Sequence, residues 1–160
     1  MNRRLLVLAP ALAVLAACAT QPASAPASVA ETIARDPQLS TLNSLVIRAG
    51  LADTLKSGGP YTVFAPTNEA FAAVPARTMD ELANDPARLK NVLTYHVLPA
   101  KVTAHEVKNG NVRTVEGGSL SVSRAGDYVT VEEAMVQRAD MVATNGVVHT
   151  VDRVLMPPRR

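Results

Sequence analysis

Three histidines, one cysteine and a few adjacent acidic pairs carry most of the reactive chemistry in this 160-residue chain. His96, His105 and His149 show neither H-x-H nor H-E-x-x-H spacing, the patterns that put two imidazoles on one metal ion, so no metal site is expected. Gly117-Gly118-Ser119-Leu120-Ser121 lacks the second glycine of G-x-S-x-G. It also falls between strand patterns, where no strained turn into a helix would expose the hydroxyl. Glu132-Glu133 and Asp80-Glu81 are neighbours in sequence, so in regular structure they diverge and read as solvated charges. No catalytic residue and no cofactor are expected.

Cys18 reads differently. Met1 to Arg4 is a short basic segment, and Leu5 to Ala17 is apolar apart from Pro10. That is too short to span a bilayer comfortably, ends in small residues and matches a secretory signal. Leu15-Ala16-Ala17-Cys18 has the form of a bacterial lipobox, which makes the sole thiol a lipid attachment point. Several acyl chains, each buried methylene contributing about 0.8 kcal/mol, hold a protein without a spanning helix. The expected location is the cell envelope. In a Gram-negative host, Ala19 in place of Asp directs such a lipoprotein to the outer membrane.

Losing Arg3 and Arg4 with the signal takes the 16 Lys and Arg down to 14, equal to the 14 Asp and Glu. With no basic excess and only 3% aromatic residues, nucleic-acid binding is excluded. The stretch from Thr20 to Ser28 is Ala, Pro, Ser, Thr and Gln, a composition that buries nothing and reads as a tether reaching roughly 35 Å at most. The chain therefore divides into a signal (1–17), a lipidated cysteine and tether (18–28), one domain (29–158) and a short tail (159–160).

Within the domain, Tyr61-Thr62-Val63-Phe64 is a strand pattern of β-branched and aromatic residues. Pro66 ends it, Thr67 can cap a helix, and Phe71 turns back toward the strand. Three of the five aromatic residues sit here, which marks the centre of the core. Upstream, Ser28-Val29-Ala30-Glu31 has capping-box form and Asp36-Pro37 starts a further helical run through Leu39, Leu42, Leu45, Val46 and Ala49, with Gly50 past its end. A turn or two over Leu51 to Lys56 precedes Gly58-Gly59. Downstream, Thr78 to Glu81 and Thr103 to Glu106 also read as capping boxes, the second heading a single turn. Asp85-Pro86 opens a helix carrying Leu89, Val92, Leu93 and His96, ended by Pro99. From Val112 the pattern becomes that of short antiparallel strands, with Asn145-Gly146 as a hairpin turn into a buried strand from Val147 to Leu155. Helices first and strands after indicate an α+β domain.

Three segments in this order resemble the fasciclin-type domain. They are Tyr61 to Phe71 (with Thr62, Phe64, Ala65, Pro66, Thr67 and Phe71), Leu89 to Pro99, and Asn145 to Pro157 (with Asn145, Gly146, His149, Asp152, Leu155 and Pro157). The resemblance covers essentially the whole domain. It implies a wedge of antiparallel β-strands with the N-terminal helices packed along it, and a role in extracellular adhesion or protein–protein interaction without a common catalytic activity. Asn68 stands where the family often has Asp, Ala100 where Gly is frequent, and Glu132-Glu133 where an Asn-Gly type turn is common.

Tyr95-His96 matches a pair discussed in animal members of the family as an integrin contact. The residues themselves read as the end of a buried helix, with His96 donating to a backbone carbonyl, and His149 reads as a satisfied core histidine. The leading expectation is a lipid-anchored, non-catalytic module that contacts a protein or polysaccharide surface. The alternative is a carrier of a small hydrophobic ligand such as a carotenoid, a property the resemblance implies for some members.

Overall fold

The structure, a computed structural model, describes residues 26–158. Cys18, the signal, most of the tether and the 159–160 tail lie outside these residues. The first helix, α1 (Val29–Arg35), begins with both arms of its capping box. Glu31 Oε2 accepts the Ser28 amide at 2.9 Å, and Ser28 Oγ accepts the Glu31 amide at 3.3 Å. Asp36 caps a 3₁₀ turn (Pro37–Leu39) that runs into α2 (Ser40–Arg48), and Gly50 closes that helix at φ +69°. A short α3 (Ala52–Ser57) leads into β1 (Tyr61–Pro66), followed by α4 (Asn68–Ala72), whose first turn is capped by Thr67.

Two helix boundaries differ from the sequence expectation. Helix α5 (Ala76–Asn84) starts after Pro75, whose carbonyl accepts the Thr78 and Met79 amides. Thr78 is therefore inside the helix, and Glu81 pairs with Arg88 at 2.9 Å and Arg77 at 3.4 Å. Helix α6 (Pro86–Tyr95) stops at His96, before Pro99. The His96 carbonyl accepts the Phe64 amide at 2.9 Å, which draws the chain into a short β2 (Val97–Leu98) beside β1. Thr103 to Glu106 forms the expected single turn, in which the Glu106 amide bonds the Thr103 carbonyl and Glu106 Oε2 accepts the Thr103 amide, both at 3.0 Å.

The remaining strands are β3 (Gly110–Arg113), β4 (Ser119–Ala125), β5 (Tyr128–Val131), β6 (Ala134–Ala143) and β7 (Gly146–Val151). They form one sheet in the order β2-β1-β7-β6-β5-β4-β3. The sheet is mixed rather than wholly antiparallel, since β1 and β7 run parallel from Tyr61↔Gly146 to Pro66↔Val151. It also curls nearly closed: Val115, just past β3, donates its amide to the Val97 carbonyl of β2 at 2.8 Å. Closure of this kind hides edges that would otherwise template other chains.

Burial follows the two-residue period of the strands. Val63, Ala65 and Val148 face the helices and pack with Val29, Ile33, Leu39 and Leu89. Phe64 and Val151 face the inside of the curl with Leu98, Leu120, Val122, Val131 and Leu155. All six residues of β7 are buried, as expected of a strand covered on both faces, but the strand stops at Val151, four residues short of the expected Leu155, and Arg153 is exposed. The hairpin into β7 turns on Thr144 and Asn145, one residue earlier than expected, because Ala143 already pairs with Gly146. Gly146 is required for a different reason: a Cβ there would collide with the Tyr61 carbonyl on the parallel neighbour.

The three departures from the family pattern are each accommodated. Asn68 Oδ1 accepts the Thr41 amide at 3.0 Å while its Nδ2 donates to the Pro37 carbonyl at 3.0 Å, a donation no carboxylate could make. Ala100 is not among the residues at positive φ, and its carbonyl accepts from Thr62 Oγ1 at 2.6 Å. Glu132 takes φ +54° in the β5–β6 turn, held by bonds in both directions with the Ser121 backbone.

Candidate functional site

Two buried histidines organise the side of the molecule where the sheet curls. His96 caps the C-terminus of α6. Its Nδ1 lies 2.7 Å from the Val92 carbonyl and its Nε2 accepts the Leu155 amide at 2.9 Å. Full burial pushes its pKa down to about 4, with the Val92 bond opposing. The ring is therefore neutral at pH 7, protonated on Nδ1, and occupied on both nitrogens.

His149 sits in β7 and stacks on Phe64, ring centroids 5.7 Å apart. Its Nδ1 accepts the Asp140 amide at 3.1 Å and its Nε2 bonds the Val102 carbonyl at 2.9 Å. Burial lowers its pKa, against the Val102 bond and the Asp140 charge. The arrangement originates in β6, which has two register shifts against β7. Such bulges release amides from the ladder. Here Thr150 Oγ1 accepts from Arg138 at 2.9 Å and His149 accepts from Asp140. Asp140, at φ +57°, then turns its carboxylate to the Ala104 amide at 2.8 Å. Thr62 Oγ1 accepts the Val102 amide at 2.8 Å. The strap over residues 99–106 is thus held by Thr62, His149 and Asp140. The sequence reading included Thr62 and His149 but missed Asp140, whose role depends on a bulge with no local signature.

Tyr95 is buried, and its hydroxyl donates to the Ser119 carbonyl at 3.1 Å. Burial, then Glu132 and Glu116, raise its pKa. Both Tyr95 and His96 are therefore interior side chains. His105 is exposed, and its carbonyl accepts Arg124 Nη1. The three histidines are not brought together, and no metal-holding group of His, Cys, Asp or Glu occurs among the described residues.

Asn145 does more than turn a hairpin. Its Oδ1 accepts the Val29 amide at 2.8 Å, its Nδ2 donates to the Leu55 and Gly58 carbonyls at 2.9 and 2.6 Å, and its carbonyl accepts the Tyr61 amide. Asp152 fixes the other end of β7 by accepting the Met135 amide at 2.7 Å. Thr67 donates its amide to Val151, Leu155 is buried, and Pro157 lines an open cleft beside β3. A second open cleft, of about 500 Å³, is walled mainly by apolar Ala70, Val74, Pro75, Val154 and Met156.

Residues 37–157 match the Fasciclin domain family. The chain belongs to that family. Among its fasciclin-domain relatives, Protein sll1483 of Synechocystis is 42% identical over 133 residues, covering 82% of this chain and 74% of that protein. The cell surface glycolipoprotein MPB83 of Mycobacterium bovis is 39% identical over 135 residues, 81% of this chain and 60% of that protein. Transforming growth factor-beta-induced protein ig-h3 of Sus scrofa is 39% identical over 132 residues, 82% of this chain but only 19% of its own length. This chain thus spans about a fifth of ig-h3. A solved FAS1 domain pair from the insect cell adhesion molecule Fasciclin I has the same fold, with a TM-score of 0.68 at 18% identity, over 82% of this chain and 51% of that one. Relatives of this fasciclin domain thus include a cell surface glycolipoprotein. No helix among the described residues is long and apolar enough to cross a membrane.

Proposed function

We propose that this fasciclin domain is a non-catalytic contact module, held to the cell envelope by lipid on Cys18 and binding a protein or polysaccharide on a neighbouring surface. One observation carries the reading: two of the three histidines, the ones held inside the fold, are spent on backbone groups. His96 and His149 have both ring nitrogens bonded to backbone groups, so neither presents a free base to a substrate. The name of MPB83, a cell surface glycolipoprotein 39% identical to this chain, supports the same assignment. Deleting the gene is expected to lower attachment, aggregation or biofilm formation, with recovery on complementation. Unchanged values in all three assays would count against the module.

A second reading, carriage of a small hydrophobic ligand such as a carotenoid, is favoured by the apolar cleft over Ala70, Val74, Pro75, Val154 and Met156. Its volume is within the range of small-molecule sites. Protein purified from its own host decides the matter through its visible absorption spectrum. A colourless, lipid-free preparation retires this reading.

A further inference from the structure

Residues 99–109 join β2 to β3 without forming a helix or a strand. A segment with no ladder of its own is ordered by whatever pins it to the rest of the fold. Val102, Ala104 and Val107 nonetheless pack into the apolar cluster that fills the curl, with Phe64, Leu98 and Leu120. The polar contacts of the strap decide whether that cover stays down. Thr62 Oγ1 donates to the Ala100 carbonyl at 2.6 Å and accepts the Val102 amide at 2.8 Å, and it does not titrate. The two other anchors, His149 on Val102 and Asp140 on Ala104, are linked to each other.

Asp140 works in two directions. Its backbone amide is donated to His149 Nδ1 at 3.1 Å, and its carboxylate accepts the Ala104 amide at 2.8 Å. Because Nδ1 accepts, the one proton of the neutral ring lies on Nε2 and is donated to the Val102 carbonyl at 2.9 Å. A second proton, added at Nδ1, sets donor against donor at the Asp140 amide. The charge that acts on the ring is the Asp140 carboxylate, and an imidazolium draws that group away from Ala104. The other charged groups around the ring are committed or face solvent. On the strap, Lys101 and His105 are exposed, and Glu106 is bonded back to Thr103. Arg138 of β6 is paired with Asp36, and His96 has both nitrogens on backbone groups. Strands β1 and β2 contain no Asp, Glu, Lys, Arg or His.

We propose that the 99–106 segment is an acid-released strap: protonation of His149, relayed through Asp140 to Ala104, frees it and uncovers the apolar interior of the curl. Burial keeps the ring neutral while the strap is closed. A lifted strap returns the ring to water, where it takes up a proton more readily. Opening is thus coupled to proton uptake, and its population grows as the pH falls below the ordinary histidine value of 6.5. The sheet need not unfold for this to happen, because Thr62, His149 and Asp140 hold the strap from outside it.

The test is amide exchange of the full chain from pH 7.5 to pH 5, expressed as protection factors so that the intrinsic pH dependence of exchange is removed. Between those limits Val102 and Ala104 are expected to lose about fivefold or more of their protection, with Val63 remaining the better protected throughout. His149→Asn keeps an oxygen for the Asp140 amide but takes up no proton, and it should abolish the loss. Asp140→Asn keeps an oxygen for Ala104 and a residue type that tolerates positive φ, but it has no charge to offer the ring. It should fold and move the onset of the loss to lower pH. Protection at Ala104 that does not change with pH overturns the proposal. So does a wild-type response in Asp140→Asn, an outcome that decides the matter even where His149→Asn fails to fold. Equal protection factors at Val63 and Ala104 at every pH assign the effect to global unfolding and overturn the strap as well.

Discussion

The backbone amide of Leu155 is donated to Nε2 of His96 at 2.9 Å, fifty-nine positions earlier in the chain. One neutral imidazole therefore joins the end of α6 to the segment that follows β7. Because Nε2 must accept and Nδ1 must donate to Val92, an imidazolium cannot satisfy the site.

Replacing this ring should be costly. His96→Ala leaves the Leu155 amide without its acceptor and opens a cavity, for an expected loss of roughly 3 kcal/mol. Urea unfolding should show a lower midpoint with an unchanged slope. A midpoint within error of the parent would mean that the bond contributes nothing net.

Acid should weaken the fold through the same residue. The folded pKa of about 4 lies below the ordinary 6.5, so unfolding takes up a proton between these values. Stability is then complete above pH 6.5 and declines as the pH falls toward 4, by up to roughly 3 kcal/mol. Burial of His149 acts in the same direction. Urea midpoints at pH 7.5 and pH 5 measure the slope. His96→Gln, which does not titrate, should be less stable at pH 7.5 yet lose much of that dependence.

The Asn145-Gly146 pair should tolerate little. Asn145→Ala removes three side-chain hydrogen bonds to α1, α3 and the loop before β1, at an expected cost of roughly 2–3 kcal/mol. Gly146→Ala forces a methyl against the Tyr61 carbonyl and should separate β1 from β7 or prevent folding. Soluble yield and thermal midpoint report both. A fully stable Gly146→Ala would show that the strands can move apart freely.

Asp140→Ala should loosen the 99–106 strap selectively. It removes the acceptor for Ala104 and leaves a non-glycine residue without polar help at positive φ, together costing roughly 2 kcal/mol. Amide exchange should quicken at Ala104 and stay slow at Val63. Uniform quickening across the sheet would assign Asp140 to global stability instead.

What was legible in the sequence was local. Ser28, Asp36, Thr67 and Asp85 all cap where expected, because a cap needs only a side-chain acceptor and an amide two or three residues away. Expectations failed where distant backbone decided the outcome. Pro75 set the start of α5 ahead of Thr78, and Phe64 captured the His96 carbonyl before Pro99 could end α6. The parallel pairing of β1 with β7 carries no local mark, since its partners meet only after the rest of the domain has intervened. Asn68 looked like a weakened Asp, yet its amide nitrogen bonds Pro37 across to the start of α2. Asp140 had no mark at all.

The most direct measurement of the central proposal compares surface attachment of host cells producing the wild-type chain with cells producing Cys18→Ala at equal level in a deletion background. The account predicts that wild type restores attachment, while the variant folds, leaves the membrane fraction and restores none. Full attachment with the variant, or no attachment defect in the deletion itself, would contradict it.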